Sequence, residues 1–203
     1  MKTLVTLLLL AIIVIACNNN TTNEHPITSN IEQEKLDQLT ALYDSLGPVI
    51  DEIAFRQKAS GEDLKIFDDG IIPWISLENP QSGLAGLIDA DKIVLPYSSI
   101  RILIDYPLNK PVFFELSSKS EGYSRKELIL VISNKYHEIY QTEEKTAAQK
   151  TIPLDERKGL VNRNQTDGEY GIWGHDLSDL DLSFVEIHKN AKGVITLTLG
   201  IES

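Results

Sequence analysis

The chain predicts an α+β domain: a small, mostly antiparallel sheet in the chain order strand–strand–helix–strand–strand, one long covering helix, and N-terminal helices before it. Three observations carry this. Residues 99–118 and 182–201 each hold two segments in which apolar and polar residues alternate. Residues 124–145 place apolar side chains at helical spacing behind a capping signal. A second helical stripe runs through residues 36–53.

The N-terminal stripe is Leu36, Leu39, Tyr43, Leu46, Ile50 and Ile53, spaced alternately by three and four residues. Asn30 is a suitable N-cap, with Gln33 three residues on. Gly47-Pro48 interrupts the stripe, so residues 31–59 read as two helices or one kinked helix. Residues 60–91 carry turn formers every few positions and read as irregular structure with short helical turns. From Lys92 the pattern becomes extended. "KIVLP" is a short apolar run. "SIRILIDY" places Ile100, Ile102 and Ile104 on one face, and "PVFFELSS" does the same with Val112, Phe114 and Leu116. The short connection "PLNKP" joins them as an antiparallel hairpin. Ser124 and Glu127 then form the S-x-x-E capping box, and Leu128, Val131, Ile132, Lys135, Tyr136, Ile139 and Tyr140 follow helical spacing. At the C-terminus "LSFVEIHKN" and "GVITLTLGI" flank a short turn, with Ile195, Leu197, Leu199 and Ile201 alternating with polar residues.

The start of the chain is of another kind. Met1-Lys2 precedes the apolar run Thr3 to Ala16, which is shorter than the ~20 residues a membrane-spanning helix needs. It suits the core of a secretory signal peptide. The run ends in "VIAC", residues 14–17, followed by the polar "NNNTTNEHPITSN". This junction resembles the lipobox of bacterial lipoproteins, with Cys17 in the lipidated position. The resemblance implies cleavage after residue 16, a diacylated Cys17 and attachment to the membrane of the cell envelope through palmitate-like chains. Asn18 after the cysteine, in place of the Asp that retains some lipoproteins at the inner membrane, favours the outer membrane. Cys17 is the chain's one cysteine, which excludes a catalytic thiol, a disulfide and a cysteine metal site in the body. The organisation is then a signal peptide over 1–16, a flexible tether over 17–30 and one α+β domain over 31–203, with the helical segment at 31–59 and the sheet-plus-helix core at 92–203.

The formal charge of the whole chain is −11. Loss of residues 1–16 takes one lysine and no acid, so the mature chain is more acidic still. No basic footprint for nucleic acid is present, nor a polybasic patch for anionic lipid. The expected membrane partner is the bilayer itself, reached through Cys17, and a further envelope protein is the expected macromolecular partner.

Candidate chemistry gathers in "NRNQTDGEYGIWGHDLSDLDLS", residues 162–183. It lies in a long stretch, 146–183, without periodicity, and such loops are often functional. Gly168, Gly171 and Gly174 recur every third residue, and Asp167-Gly168 is a strong turn pair. Asp167, Tyr170, Trp173 and His175 are the expected contact residues. Asp167, Glu169, His175, Asp176, Asp179 and Asp181 could offer oxygen and imidazole to calcium, but the EF-hand order and H-E-x-x-H are both missing, so no metal ligand is assigned. His175, with Asp176 or Glu169 assisting, is the candidate base of a hydrolase. Neither G-x-S-x-G nor S-x-x-K supplies a nucleophile for it.

Residues 124–144 together with "NRNQTDGEYGIWGHDLSDL", 162–180, resemble an uncharacterised bacterial and eukaryotic protein family over about Ile100 to Ile201. That resemblance implies Asn162, Asp167, Gly168, Tyr170, Trp173, Gly174, His175 and Asp176 as motif positions and implies no activity. The leading functional expectation is therefore a non-enzymatic envelope binding or interaction module without cofactor. The alternatives are an extracytoplasmic hydrolase and an immunity or inhibitor protein whose acidity suits a basic target.

Overall fold

The computed structural model describes residues 26–118, 121–159 and 162–203, and side chains from residue 33 onward. The signal peptide over 1–16, Cys17 and the tether up to residue 25 lie outside the described residues. The chain divides into two compact units, Met1–Ala41 and Leu42–Ser203, with the boundary inside the first helix. The described part of the first unit is helical, with Leu36 exposed and a Gln33 Nε2 to Asp37 Oδ1 bond of 2.8 Å one turn along.

The elements are helix α1 (Pro26–Leu46), strand β1 (Val49–Ala54), the two-residue strands β2 (Gln57–Lys58), β3 (Ile71–Ile72) and β4 (Ile75–Ser76), and the single turn α2 (Gln81–Leu84). After these come β5 (Ile93–Leu95), β6 (Ser99–Ile104), β7 (Val112–Ser117), β8 (Tyr123–Ser124), α3 (Arg125–Thr146), β9 (Asp181–Lys189) and β10 (Ile195–Glu202). The class is mixed α+β with a mostly antiparallel sheet, in the order β1-β9-β10-β6-β7, and β4 also pairs with β9. Only the β10–β6 pair is parallel among the described strands of this sheet.

Two expectations for the N-terminal region are corrected. Helix α1 begins at Pro26, inside the expected tether; proline suits a first helical turn, where its missing N–H costs nothing. Residues 49–59 hold no second helix. Val49–Ala54 is strand β1, laid antiparallel on β9 from Val49↔His188 to Ala54↔Phe184. Gly47 takes φ +81°, and a Cβ there would stand 2.5 Å from the Lys189 carbonyl oxygen. That turn stops α1 and delivers Pro48 to the sheet edge, where a missing N–H is tolerated.

The hairpin β6–β7 has the register Ile100↔Leu116, Ile102↔Phe114 and Ile104↔Val112, so the expected inward residues face one another. They join a core with Val185, Ile187, Ile195 and Leu197 of the second hairpin and Leu128, Ile129, Ile132, Tyr136 and Ile139 of α3. Each fully buried aliphatic side chain contributes about 1.5–3 kcal/mol. Ser124 caps α3 by accepting from the Glu127 N–H at 3.3 Å, while Glu127 Oε2 accepts from the Ser124 N–H at 2.8 Å. The Ser124 N–H, and then the Ser124 hydroxyl donating to the same oxygen at 2.7 Å, hold the Glu127 carboxyl below its ordinary value.

The opposite sheet face mixes polar residues with apolar ones such as the buried Leu103. One row crosses β1, β9, β10, β6 and β7 as Val49, His188, Thr196, Arg101 and Glu115. The end of α1 meets this face. Tyr43 donates to Asp105 Oδ2 at 2.8 Å, and His188 Nδ1 lies 3.0 Å from the Gly47 carbonyl oxygen.

Candidate functional site

The described residues of 147–180, between α3 and β9, hold little regular structure beyond two 3-10 turns. Their order comes from the helix they leave. Ile132, Tyr136 and Ile139 are buried on α3, and the next residue on that stripe is Glu143, which is 0% exposed. Its carboxylate accepts from Thr166 Oγ1 at 2.7 Å and from the Gly168, Tyr170 and Gly171 N–H groups at 2.8, 2.8 and 3.1 Å. Burial opposes ionisation of this carboxyl, but the bonds from Thr166, Tyr170, Gly168 and Gly171 outweigh it and hold the pKa below the ordinary value. The loop is folded around one anion.

Gly168 is required by proximity. A Cβ there would lie 2.7 Å from both Glu143 Oε2 and Thr146 Oγ1. Gly171 and Gly174 instead take positive φ, +67° and +73°. A second tie runs to the β6–β7 turn: Asn109 N–H donates to the Gly171 carbonyl at 3.0 Å, Lys110 N–H to Tyr170 at 3.1 Å and Trp173 N–H to Pro107 at 3.1 Å. Lys110 Nζ also donates to the Gly168 carbonyl at 3.1 Å.

Two arginines hold the rest. Arg163 is buried, with its guanidinium 5.6 Å from the Tyr140 ring centroid. It donates to Thr151 Oγ1, and to Thr166 Oγ1 and the Ile172 carbonyl at 3.3 Å each. Arg157 makes a bidentate pair with Asp176, at 2.6 Å through Nη1 and 2.9 Å through Nη2. Bidentate charge-assisted pairs are the strong, geometrically selective kind.

Each sequence-derived candidate now has a place. Asp167 is exposed, and its Oδ1 accepts from the Gln149 N–H at 2.7 Å. Glu169 is exposed, with its N–H bound to Thr146 Oγ1 at 2.9 Å. Asn162 is exposed. Tyr170 is 8% exposed and belongs to the core, so it supports the surface from beneath rather than forming it. Asp176 serves the two arginines, with Arg163 Nε at 3.7 Å in addition to Arg157. No hydrogen bond joins Asp176 to the His175 ring among the described residues, so His175 and Asp176 are not an oriented base and carboxylate. The Asp179 carboxylate accepts from the Asp176 N–H at 2.8 Å. Asp181 lies on β9, where burial and then Glu202 raise its pKa. Among the described residues no three carboxylate or histidine side chains converge on a position that could hold an ion.

What the loop presents outward is aromatic. Trp173 is 38% exposed and stands edge-on to Tyr106, with centroids 5.3 Å apart. His175 lies 5.4 Å from Tyr106 and 6.0 Å from Trp173. Tyr140 OH fixes this corner from below by donating to the His175 carbonyl at 2.9 Å. Tyr136 OH donates likewise to the Tyr106 carbonyl at 2.9 Å. The three rings form a braced patch with a polar edge in His175, a surface type that can offer large contact area at low entropic cost.

Sequence reasoning missed Glu143, Thr166, Arg157, Arg163, Lys110 and Tyr106. For Glu143 a signal was present, because it continues the buried stripe of α3 and a carboxylate there must be matched. No comparable pattern marks the arginines. No family model, curated protein or solved structure matches the chain.

Proposed function

We propose that the chain is a lipid-anchored protein of the bacterial cell envelope whose strand–strand–helix–strand–strand core, residues 92–203, displays the 162–183 loop as a contact surface for a macromolecular partner. The observation that carries this reading is the way the loop spends its polar groups. Glu143, Arg157, Arg163 and Asp176 are used to hold it, while Trp173, His175 and Tyr106 are offered outward as one patch. A loop braced in advance loses little conformational entropy on association. The hydrolase alternative pairs His175 with Asp176 or Glu169, and of these the Asp176 carboxylate is committed to Arg157. Trp173 and His175 supply the contact, Asp167 and Tyr170 support it, and Cys17 supplies the anchor.

Two experiments test this. Cells expressing the full chain or Cys17→Ala are fractionated; the variant is expected in the soluble fraction, and retention with the membrane would sink the anchor. The soluble Cys17→Ala chain is then sedimented with envelope fragments, with and without Trp173→Ala. Co-sedimentation that Trp173→Ala abolishes supports the contact surface, and equal retention of both chains removes the loop from that role.

A further inference from the structure

The geometry points to a second ligand site, independent of the 162–183 loop: an oxyanion-binding cleft where the parallel strands of the sheet part. The ladder between β10 and β6 comprises Thr196↔Arg101 and Leu197↔Ile102. Toward the start of both strands a cleft of ≈ 360 Å³ opens, lined among others by Ser99, Arg101, Glu115, Lys192 and Val194. That volume falls within the range of small-molecule sites, about 300–1,000 Å³.

Arg101 is held in place without being satisfied. Its guanidinium carbon lies 4.8 Å from the Phe113 ring centroid, and Nη2 donates to Thr196 Oγ1 at 3.1 Å. Its Nε is buried with no hydrogen-bond partner. The nearest carboxylate, Glu115 Oε1, stands 3.9 Å from Nε, too far for a hydrogen bond, on a side chain that is 73% exposed. Nε is closed off, but the Nη1 donors and the second Nη2 donor of a guanidinium positioned by a ring and a hydroxyl stay free as a fork for two oxygens of one anion. Lys192 adds a second cation from the β9–β10 turn. Its backbone is fixed by Asn190 Oδ1 accepting from the Lys192 N–H at 3.0 Å, and its ammonium makes no ion pair among the described residues. In a chain of net charge −11, two cations left without a hydrogen-bonded carboxylate beside one cleft stand out from the background. Glu115 at the rim leaves the lining at one positive charge, which matches a small molecule bearing one carboxylate or phosphate group.

The test titrates the full-length chain in detergent, separately with inorganic phosphate and with glycylglycine, by calorimetry. At least one probe is expected to bind with millimolar or tighter affinity at about 20 mM salt and to weaken severalfold at about 200 mM, as partly exposed charges are screened. Phosphate binding tighter than the dipeptide assigns the cleft to phosphorylated ligands; the reverse order assigns it to carboxylates. Lys192→Gln, at an exposed position, is expected to weaken binding by about 3–10-fold, and Arg101→Lys, which keeps the charge and loses the fork, by more. If Arg101→Lys fails to fold, Lys192→Gln alone decides. Absence of binding by both probes at about 20 mM, or unchanged affinity in the variants that fold, overturns the proposal.

Discussion

Removing the anion around which the loop is folded should cost more than any other single change there. In Glu143→Ala, Thr166 Oγ1 and the N–H groups of Gly168, Tyr170 and Gly171 lose their acceptor inside a site that is 0% exposed at Glu143. A hydrogen bond to a charged group contributes about 1.5–3 kcal/mol, and a buried donor left unpaired costs about 1–3 kcal/mol. The four bonds share two oxygens and will not add, so the expected loss is about 4 kcal/mol. At about 2–4 °C per kcal/mol for a chain of this size, the melting temperature should fall by about 8–16 °C. Glu143→Gln keeps one acceptor and turns an NH₂ toward N–H donors, and should lose about half as much. The pH dependence has a definite direction. The folded-state pKa of Glu143 is lowered, so its stabilisation is complete above the unfolded value of about 4.3 and disappears as pH falls through the lower folded value. Wild type should therefore lose its advantage over Glu143→Gln as pH falls from about 5 through the lowered folded value. Glu127, also lowered, is common to both proteins and cancels from the comparison. Thermal unfolding followed by circular dichroism at several pH values is the assay. A loss below about 1 kcal/mol in Glu143→Ala, or an acid dependence identical in wild type and Glu143→Gln, would refute the reasoning.

Three further outcomes follow from the same geometry. Gly168→Ala brings a methyl group within 2.7 Å of Glu143 Oε2 and Thr146 Oγ1, and should lower the urea midpoint by the equivalent of about 1–3 kcal/mol with the slope unchanged. Asp176→Asn breaks the bidentate pair with Arg157 and should cost about 2 kcal/mol, with limited proteolysis cutting residues 150–176 faster than in wild type. Trp173→Ala removes a half-exposed ring whose chief aromatic partner is Tyr106, so stability should change by about 1 kcal/mol or less while partner binding is lost.

The parts of the fold that could be read from the sequence are those where one face decides the pattern. Ile100, Ile102 and Ile104 alternate because β6 is buried on the core side, and Ser124 with Glu127 announces α3 because that capping box is local chemistry. Strand β1 misled because Ile50 and Ile53 extend the helical spacing of α1, and only pairing with β9, far along the chain, makes the segment extended. The two-residue strands β2, β3, β4 and β8 are too short for any period to register. In the site, the irregular loop was legible because glycines and aromatics cluster there, but the exposure of Trp173 was not, since its place beside Tyr170 and Ile172 suits inward packing equally well. The buried role of Tyr170 was not, since a core tyrosine and a surface tyrosine read alike. Glu143 sits beside Glu144 in the sequence, and only its phase on α3 separates the buried acid from the exposed one.

The joint between β10 and β6 bears on how the molecule assembles. Arg101 and Thr196, neighbours across that joint, are 95 positions apart in the chain. Each flanking hairpin can zip locally, but the joint must wait for the helix and loop between them to be laid down, which makes it a slow, high-contact-order event. Until it closes, β6 and β10 each leave one long side open to strands from other molecules. Both hairpins are therefore finished templates before they are partners, and the interval between those two stages is when neighbouring chains at high concentration can be captured in place of the molecule's own second half.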